Sequence, residues 1–402
     1  MKKRKSIILI FFLFIILIYV CNIDSIPSRI ILLEDEPLDI NTLFGVNINP
    51  INNEVIETWK SGDVRSNNME VSLFDKIPIK EVSVTTLPKM NVVPLGNLIG
   101  LRLYTSGVLV VGMSEVQNES NMMVRPYENS EIKEGDTIIE INDLEINSID
   151  KLRDVVNTSG GNDLIIKYIR DGSIMTSTIK PVKGANEDEY KIGLWVRDSA
   201  TGVGTISFYD PESGKFAALG HGIIDIDTGN LIEIESGEVV SSDIISIDKA
   251  KVGQPGEIKG SITNGISLGD VDSNTDFGIY GNLSNLSSLG IDKNSTLEVA
   301  NRNEINLGEA SILCCLDGNS VDEYKIEIES IDKNNNLDNK SMQIKVVDDE
   351  LISKTGGIIC GMSGSPIIQN GKLIGVVTNV LVSNAKIGYG VFADLMVKEM
   401  LK

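Results

Sequence analysis

Short strand-like stretches separated by Gly, Asn and Asp fill the C-terminal half of the chain. From Tyr190 the sequence reads "YKIGLWVRDSATGVGTISFYDPESGKFAALGHGIIDIDTG", and the same alternation continues to about residue 393, where a short terminal helix is expected. Many short strands with turn residues at close intervals are typical of a β-barrel or a β-sandwich. We therefore predict a mainly β chain in which residues 187–402 form two small packed barrels.

The N-terminus combines a basic cluster with a long apolar run. Lys2 to Lys5 are all basic, and an unbroken apolar run follows from Ile7 to Cys21. This run is long for the core of a signal peptide and short for a comfortable membrane span. We expect residues 1–22 to be a signal or anchor segment that contacts the membrane, with the rest of the chain exported. Residues 23–87 are expected to be a solvated linker with some strand content.

The strong negative charge of the chain makes some classes of binding partner unfavourable. The formal net charge is −21 and the pI about 4.5, so the surface would repel the phosphate backbone of a nucleic acid. Neither a zinc-type Cys/His cluster nor a phosphate-binding P-loop is present in the sequence. We expect no nucleic-acid partner, no cofactor and no metal. The four cysteines (Cys21, Cys314, Cys315 and Cys360) do not suggest a disulfide framework.

Residues 88–183 carry a second pattern that contains a helix. The stretch "IKEGDTIIEINDLEINSIDKLRDVVNTSG" predicts a strand, a turn at Asn142-Asp143, and a helix capped by Ser148. A hairpin turning at Asp171-Gly172 follows. This order resembles a PDZ domain of the bacterial protease type, an α+β fold that binds peptide C-termini. The resemblance places the carboxylate-binding loop at Ile99, Gly100 and Leu101, with a peptide groove between the next strand and the helix.

A serine between two glycines and a lone histidine suggest hydrolytic chemistry. Residues 361–366 read "GMSGSP", a pattern that fits either a tight turn or a nucleophile elbow that projects Ser363. His221, in the corner "GHG", is the only histidine of the chain, and imidazole is the side chain suited to take a serine proton near neutral pH. We predict that Ser363 is the nucleophile and His221 its base. The N–H groups of Gly361 and Ser363 are then placed to form the oxyanion hole.

A third residue of such a triad would be a carboxylate that orients the imidazole. Asp225 and Asp227 lie close to the histidine along the chain but are expected to point away along the outgoing strand. Asp270 and Asp272 lie where the chymotrypsin order of residues would put the acid, whereas Asp348 lies shortly before the serine. Spacing alone does not choose between the last two options.

Three motifs together resemble the SpoIVB peptidases, the stage IV sporulation protein B family of spore-forming bacteria. They are "YKIGLWVRDSATGVGTISFYDP", "ALGHGIIDIDTG" and "KTGGIICGMSGSPIIQNGKLIGVVT", and the likeness runs from about residue 90 to the end. The resemblance implies an N-terminal membrane segment, a PDZ domain and a peptidase domain with a chymotrypsin- or trypsin-like double β-barrel. Carried over by position, it assigns the catalytic roles to Ser363, His221 and Asp348. Cys360 stands where a polar residue such as Gln is expected.

The resemblance also implies a cellular role. Members of the family act between mother cell and forespore, cut themselves, and cleave a regulator of a membrane-embedded protease complex that matures a late sigma factor. The expected partners are therefore protein or peptide substrates, the chain itself and that complex. The alternative is a non-enzymatic PDZ receptor in which an inactive protease fold serves as a scaffold.

Overall fold

The computed structural model of the chain describes residues 2–38, 45–51, 64–185, 188–262, 265–318, 320–334 and 338–402. Strands account for most of the regular structure, so the predicted mainly β class is confirmed. The strands form a small N-terminal sheet, an inserted α+β module and two barrels.

The N-terminal sheet follows a long first helix. Its elements are α1 (Lys2–Ser25), β1 (Arg29–Leu33), β2 (Val46–Pro50), β3 (Arg65–Leu73) and β4 (Ile77–Leu87), with the strand order β1-β4-β3-β2. Helix and sheet share a core that includes Ile26, Val46, Val71, Val82 and Val84. The prediction of a solvated linker over residues 23–87 is therefore wrong. The parallel pairing of β1 with β4 joins segments about fifty residues apart, which a local sequence pattern does not reveal.

The predicted signal or anchor segment lies within α1. Several apolar side chains of this helix, among them Phe11, Phe14 and Leu17, are exposed. Within the described ranges, no helix meets the length and apolarity needed to cross a membrane.

The inserted module begins in the second half of one unusually long strand and ends in the first half of another. These strands are β6 (Leu98–Met113), which follows the short β5 (Asn91–Pro94), and β15 (Leu194–Tyr209). Between β6 and β15 come β7 (Val116–Gln117), β8 (Met123–Val124), β9 (Thr137–Ile141), β10 (Leu144–Glu145), α2 (Ile149–Thr158), β11 (Leu164–Arg170), β12 (Ser173–Ile179), β13 (Val182–Lys183) and β14 (Tyr190–Lys191).

The local sequence signals of the inserted module are confirmed. The Ser148 side chain accepts a hydrogen bond from Lys151 N and caps α2. The apolar face of α2 is buried. Asp171 and Gly172 have φ of 49° and 71°, so both central residues of the β11–β12 turn are left-handed, as a two-residue hairpin of type I′ requires.

The first barrel closes from six antiparallel strands. Its members are β6, β15, β16 (Lys215–Ala218), β17 (Ile234–Ser241), β20 (Ser267–Thr275) and β21 (Gly278–Leu283). The hairpin of β18 (Asp243–Asp248) and β19 (Glu257–Ser261) lies between β17 and β20 along the chain. The pairing runs β6-β15-β16-β21-β20-β17 and returns to β6. Its interior is filled by apolar side chains such as Ile99, Leu101, Phe216 and Val239.

The second barrel also closes from six antiparallel strands. After β22 (Leu297–Val299) come β23 (Gly308–Asp317), β24 (Ser320–Ile331), β25 (Met342–Val346), α3 (Asp349–Thr355), β26 (Pro366–Gln369), β27 (Lys372–Val380), β28 (Ile387–Phe392) and α4 (Ala393–Met400). The pairing runs β23-β24-β25-β28-β27-β26 and returns to β23. Two packed barrels and a terminal helix are therefore present, in agreement with the sequence pattern.

The expected division between residues 88–183 and residues 187–402 does not follow the sheet pairing. The first half of β6 is a barrel strand, and only its second half belongs to the inserted module, where Val108 and Leu109 pair with β9. Strand β15 runs back through the module into the barrel in the same way. The module is thus inserted between two strands of the first barrel, β6 and β15, and both strands extend from the barrel into the module.

One buried ion pair fixes α4 to the second barrel. Arg302 donates from Nε and Nη2 to the Asp394 carboxylate at 2.5 and 2.9 Å, and both residues are buried. The guanidinium also stacks on the Phe392 ring, 4.6 Å from its centroid. Burying two charges is costly, and it is compensated only while each remains paired.

We predict that Arg302→Leu lowers the free energy of unfolding by about 3–5 kcal/mol, because Asp394 then remains buried without its cation. The double variant Arg302→Leu/Asp394→Leu should recover a large part of this loss, since it removes the uncompensated charge. Urea denaturation of the single and double variants measures both values. Equal losses in the two variants would contradict an unpaired carboxylate as the cause.

Candidate active site

The loops that carry His221 and Ser363 pack directly against each other. His221 follows β16 of the first barrel, and Ser363 precedes β26 of the second. A Cβ atom added to Gly364 would lie 2.1 Å from Thr205 O and 2.7 Å from Leu219 N. The serine turn therefore lies against the end of the histidine-bearing segment, as the prediction of a joint site requires.

Thr378 on β27 contacts both loops. The Ser363 hydroxyl donates to Thr378 O at 2.6 Å. On the other side, a Cβ atom on Gly220 would lie 3.0 Å from the Thr378 side-chain methyl. Ser363 and Gly220, the residue before the histidine, thus share Thr378 as a neighbour.

Thr205 on β15 links the two loops through three hydrogen bonds. Its backbone N–H donates to Ser363 O at 3.1 Å, its hydroxyl to Gly361 O at 2.7 Å, and its carbonyl accepts from Leu219 N at 3.1 Å. Thr205 is buried, so these bonds are shielded from water. Sequence reasoning missed both Thr205 and Thr378, because a threonine within a strand carries no local signature of such contacts.

The His221 ring has one nitrogen engaged and one free for chemistry. Nδ1 lies 2.9 Å from Gly222 O, and a carbonyl can only accept, so Nδ1 carries the hydrogen. Nε2 then holds the lone pair that a general base needs. The tautomer is therefore the one that suits proton transfer from a serine.

The backbone of the serine turn leaves two N–H groups without an acceptor. Four N–H groups of this turn are paired: that of Cys360 donates to Gly256 O, that of Met362 to Ile359 O, that of Gly364 to Val377 O and that of Ser365 to Met362 O. By contrast, the N–H groups of Gly361 and Ser363 donate to no group in the part of the chain that the structure describes. Unpaired N–H groups beside a nucleophile suit an oxyanion, in line with the predicted oxyanion hole.

Asp348 serves as the N-cap of α3. Its carboxylate accepts from Glu350 N, Leu351 N and Lys325 N at 3.0–3.2 Å. Burial raises the pKa of this carboxyl, but the three backbone donors outweigh burial and hold the pKa below its ordinary value. No hydrogen bond or ion pair joins Asp348 to His221, two residues that the structure describes in full.

The strand register shows how Asp348 is displaced from the site. The Thr378 hydroxyl contacts Tyr389 O, and Tyr389 pairs with Gln343 on β25. Asp348 follows Gln343 by five residues and lies two residues beyond the end of β25. The structure thus packs the loops that carry Ser363 and His221 against each other and places Asp348 beyond the end of β25.

The other carboxylates considered are also engaged or distant. Asp225 is buried and binds Arg197, which also binds Asp227 at 2.7 Å. Asp270 and Asp272 are exposed on β20, and Asp272 accepts from the Asn282 side chain. None of them contacts the imidazole in the described residues.

Cys360 lies beside the serine turn but is a poor competitor for Ser363. All four cysteines are free, and Cys314 and Cys315 are buried in β23. Partial burial, with a smaller contribution from Glu257, raises the pKa of the Cys360 thiol. The thiol is therefore protonated at neutral pH and weakly nucleophilic. Among the described residues, no cluster of His, Cys, Asp or Glu could hold a metal ion.

A family comparison matches the half of the chain that contains this site. The family model for the SpoIVB peptidase S55 matches residues 188–397, just over half of the 402 residues. The chain belongs to the SpoIVB peptidase S55 family. It is a serine peptidase, as the sequence motifs predicted. The match includes both His221 and Ser363.

Two solved structures are also similar to the chain. A PDZ domain of an SdrC-like protein from Listeria monocytogenes is 21% identical, covers 23% of this chain and 87% of its own, with a TM-score of 0.19. The HtrA-type protease AlgW with a decapeptide is 14% identical, covers 54% of each chain, with a TM-score of 0.29. At these TM-scores the fold is defined by the strand pairing and not by either likeness. No curated protein matches the chain.

The predicted carboxylate-binding loop of the PDZ-like region is not a loop. Ile99, Gly100 and Leu101 lie inside β6, where they pair with β15 on one side and β17 on the other. All three are buried, and two neighbouring strands use their backbone groups. The prediction is wrong because the apolar stretch around Gly100 is a barrel strand.

A groove of the inserted module lies elsewhere, between α2 and the start of β15. Its volume is about 610 Å³. It is lined by apolar side chains of α2, including Leu152 and Val156, and by the segment Ile192–Val196. The N–H groups of Ile192 and Gly193, which lie between described strands, donate to no described group. Unpaired backbone N–H groups that could bind a peptide carboxylate were expected at residues 98–102 and are found instead at Ile192 and Gly193.

We predict that Gly364→Ala disrupts the contact between the two loops, because its Cβ atom would overlap the backbone of Thr205 and Leu219. Gly371→Ala is the matched control: its φ of 76° is also left-handed, but nothing lies within 4 Å of its Cβ position. The control should cost about 1–2 kcal/mol in unfolding free energy. Gly364→Ala should cost clearly more and abolish peptidase activity. Equal unfolding free energies would contradict the close packing.

Proposed function

We propose that the chain is an endopeptidase in which Ser363 attacks the substrate and His221 is the general base. The observation that carries this proposal is the contact of the two loops through Thr205, Thr378 and Gly364. The family match supplies the reaction class. Asp348, the acid implied by the resemblance, remains a proposal, and its contacts in this structure are those of a helix cap.

The reaction begins with a rotation of the Ser363 side chain. Its hydroxyl turns from Thr378 O towards Nε2 of His221, which accepts the proton as Oγ attacks the scissile carbonyl carbon. The N–H groups of Gly361 and Ser363 then stabilise the oxyanion. The imidazolium returns the proton to the leaving amine, and water, activated by the same imidazole, hydrolyses the acyl-enzyme.

We predict that purified wild-type protein cuts itself and that Ser363→Ala stays intact. His221→Ala should also stay intact, because no other histidine can replace the base. Mass spectrometry of the fragments identifies the cleavage sites and the residue preference. Identical fragments from wild type and Ser363→Ala would favour the scaffold hypothesis over a self-cleaving peptidase.

We propose that the inserted module binds peptides in a PDZ-like manner. Residues 194–197 of β15 pair with β6 on one side, and their other side faces the groove beside α2. An extended peptide can add there as a strand, with its terminal carboxylate at Ile192 N and Gly193 N. Arg153 and Lys191 line the same groove together with Glu115 and Glu189, and Arg153 also pairs with Asp150 at 3.1 Å.

We predict that a peptide with a free C-terminal carboxylate binds this groove at least about tenfold more tightly than its amide. The probe is the hexapeptide VKEMLK, which repeats residues 397–402, a segment packed in α4 in the protein itself. Trp195 is exposed in the groove, so its emission reports binding once Ser363→Ala prevents cleavage and Trp59→Phe removes the other indole. Arg153→Glu should weaken binding, and equal affinity of the acid and the amide would contradict carboxylate capture.

The cellular role is proposed from the family alone. The SpoIVB name of the matching family supports a role in sporulation, in which the exported peptidase cuts itself and a regulator of a membrane-embedded protease complex. The apolar N-terminal run supports membrane contact of the chain before processing. Deletion of the gene from a spore-forming host, with rescue by wild type but not by Ser363→Ala, tests this role.

A further inference from the structure

The peptide group that joins Gly222 to Ile223 is hydrogen-bonded on both sides. Its carbonyl oxygen, Gly222 O, lies 2.9 Å from His221 Nδ1 and accepts the hydrogen of the ring. Its N–H, on Ile223, donates to Asn274 Oδ1 at 2.8 Å. A trans peptide group is planar, and its N–H and C=O point in opposite directions. A partner that fixes the direction of the N–H therefore also fixes the direction in which the carbonyl meets the imidazole.

The half-buried Asn274 side chain on β20 uses both ends of its amide on the loop that follows His221. Oδ1 accepts from Ile223 N, while Nδ2 donates to Ile223 O at 2.8 Å and to Ile232 O at 2.9 Å. Ile232 N also donates to Ile223 O at 3.1 Å, so the two ends of the loop 223–232 are held together at this point. Turning the amide by 180° would break all three of its bonds, so its orientation is fixed.

Gly222 allows the loop to approach β20 closely enough for these bonds. A Cβ atom at position 222 would lie 2.6 Å from Thr275 O, and Thr275 follows Asn274 on the strand. A side chain at position 222 would therefore push the loop away from Asn274. The backbone next to the histidine and the Asn274 amide thus form one closely packed unit.

We propose that Asn274 is a positioning residue of the peptidase site, which orients the His221 imidazole through the Gly222–Ile223 peptide group. Asn274 touches neither the substrate nor the reacting atoms. It keeps the hydrogen on Nδ1, so that Nε2 retains the lone pair with which the ring accepts the Ser363 proton. Consecutive hydrogen bonds also polarise one another, which strengthens the bond between the carbonyl and the ring. The inference rests on the proposed function of His221 as the base, and it is independent of the carboxylate that completes the site.

The test observes the imidazole directly, because His221 is the sole histidine and its ring signals in NMR need no assignment. The full chain carries Ser363→Ala to prevent cleavage, and the shifts of the ring nitrogens are recorded at about pH 8, where an imidazole is neutral. The parent should show the tautomer with hydrogen on Nδ1. Asn274→Ala should replace it by a mixture of the two tautomers. Asn274→Asp should retain it, since a carboxylate oxygen still accepts from Ile223 N. Asn274→Thr, a residue that suits a strand, should give the same loss as alanine and serves where the alanine variant does not fold.

Gln369→Ala is the matched control. The Gln369 side chain makes the same three kinds of bond in the second barrel: it accepts from Asn306 N at 2.9 Å and donates to Asn306 O and Glu309 O, both at 3.0 Å. Its truncation removes as many hydrogen bonds from a segment that leads into β23, so the ring of His221 should keep its tautomer. A parent with hydrogen on Nε2, an unchanged tautomer in Asn274→Ala, or an equal change in Gln369→Ala overturns the inference.

Self-cleavage of the chain that retains Ser363 separates this inference from the proposed function on which it rests. Asn274→Ala should slow self-cleavage by about 10²-fold, the loss expected when a catalytic group is misplaced by about 1 Å. Gln369→Ala should cut itself at nearly the wild-type rate. Self-cleavage of Asn274→Ala at the wild-type rate refutes the role of Asn274 alone. If the wild type does not cut itself, the proposed self-cleavage fails, while loss of the tautomer in Asn274→Ala still supports the positioning of the ring.

Discussion

The packing of the Ser363 turn against β15 and the end of β16 is the contact on which the site depends. The serine belongs to the second barrel and the histidine to the first, so their geometry is set by the interface of the two barrels. Thr205 supplies hydrogen bonds to both segments, and Gly364 allows them to approach within van der Waals distance. A side chain at position 364 would separate them. The glycine is therefore required by the space between the barrels as well as by its φ of 100°.

The long strands β6 and β15 connect the inserted module directly to the first barrel, which carries His221. Strand β15 lines the groove beside α2 at Leu194 and Trp195. Further along, it carries Arg197 and then reaches Thr205 beside the serine turn. Arg197 binds Asp225 on the loop that follows His221. Burial raises the pKa of the Asp225 carboxyl, but two backbone donors and Arg197 outweigh it and hold the pKa below its ordinary value. A strand that lines the groove beside α2 thus also holds the loop of His221, the proposed base.

The sequence revealed the local features and the chemistry better than the long-range pairing. The cap at Ser148, the turn at Asp171-Gly172, and the strand-rich C-terminal half are all set by neighbouring residues, and all are present in the structure. The loop expected at Gly100 is a barrel strand, because apolar residues around a glycine fit either environment. Its pairing with β17 joins segments about 140 residues apart. The same limit hid the N-terminal sheet and the contacts of Thr205 and Thr378.

In this structure Ser363, His221 and Asp348 each form hydrogen bonds with nearby backbone groups and not with one another. Ser363 donates to Thr378 O, His221 donates to Gly222 O, and Asp348 accepts from the backbone of α3. The first two bonds can be exchanged at small cost, since a hydrogen bond contributes about 1 kcal/mol net and a new one forms on rotation. Recruiting Asp348 would instead remove the side-chain cap of α3. Asp348 therefore serves here as the cap of the helix that leads to the serine turn, whereas Ser363 and His221 can exchange their partners by side-chain rotation.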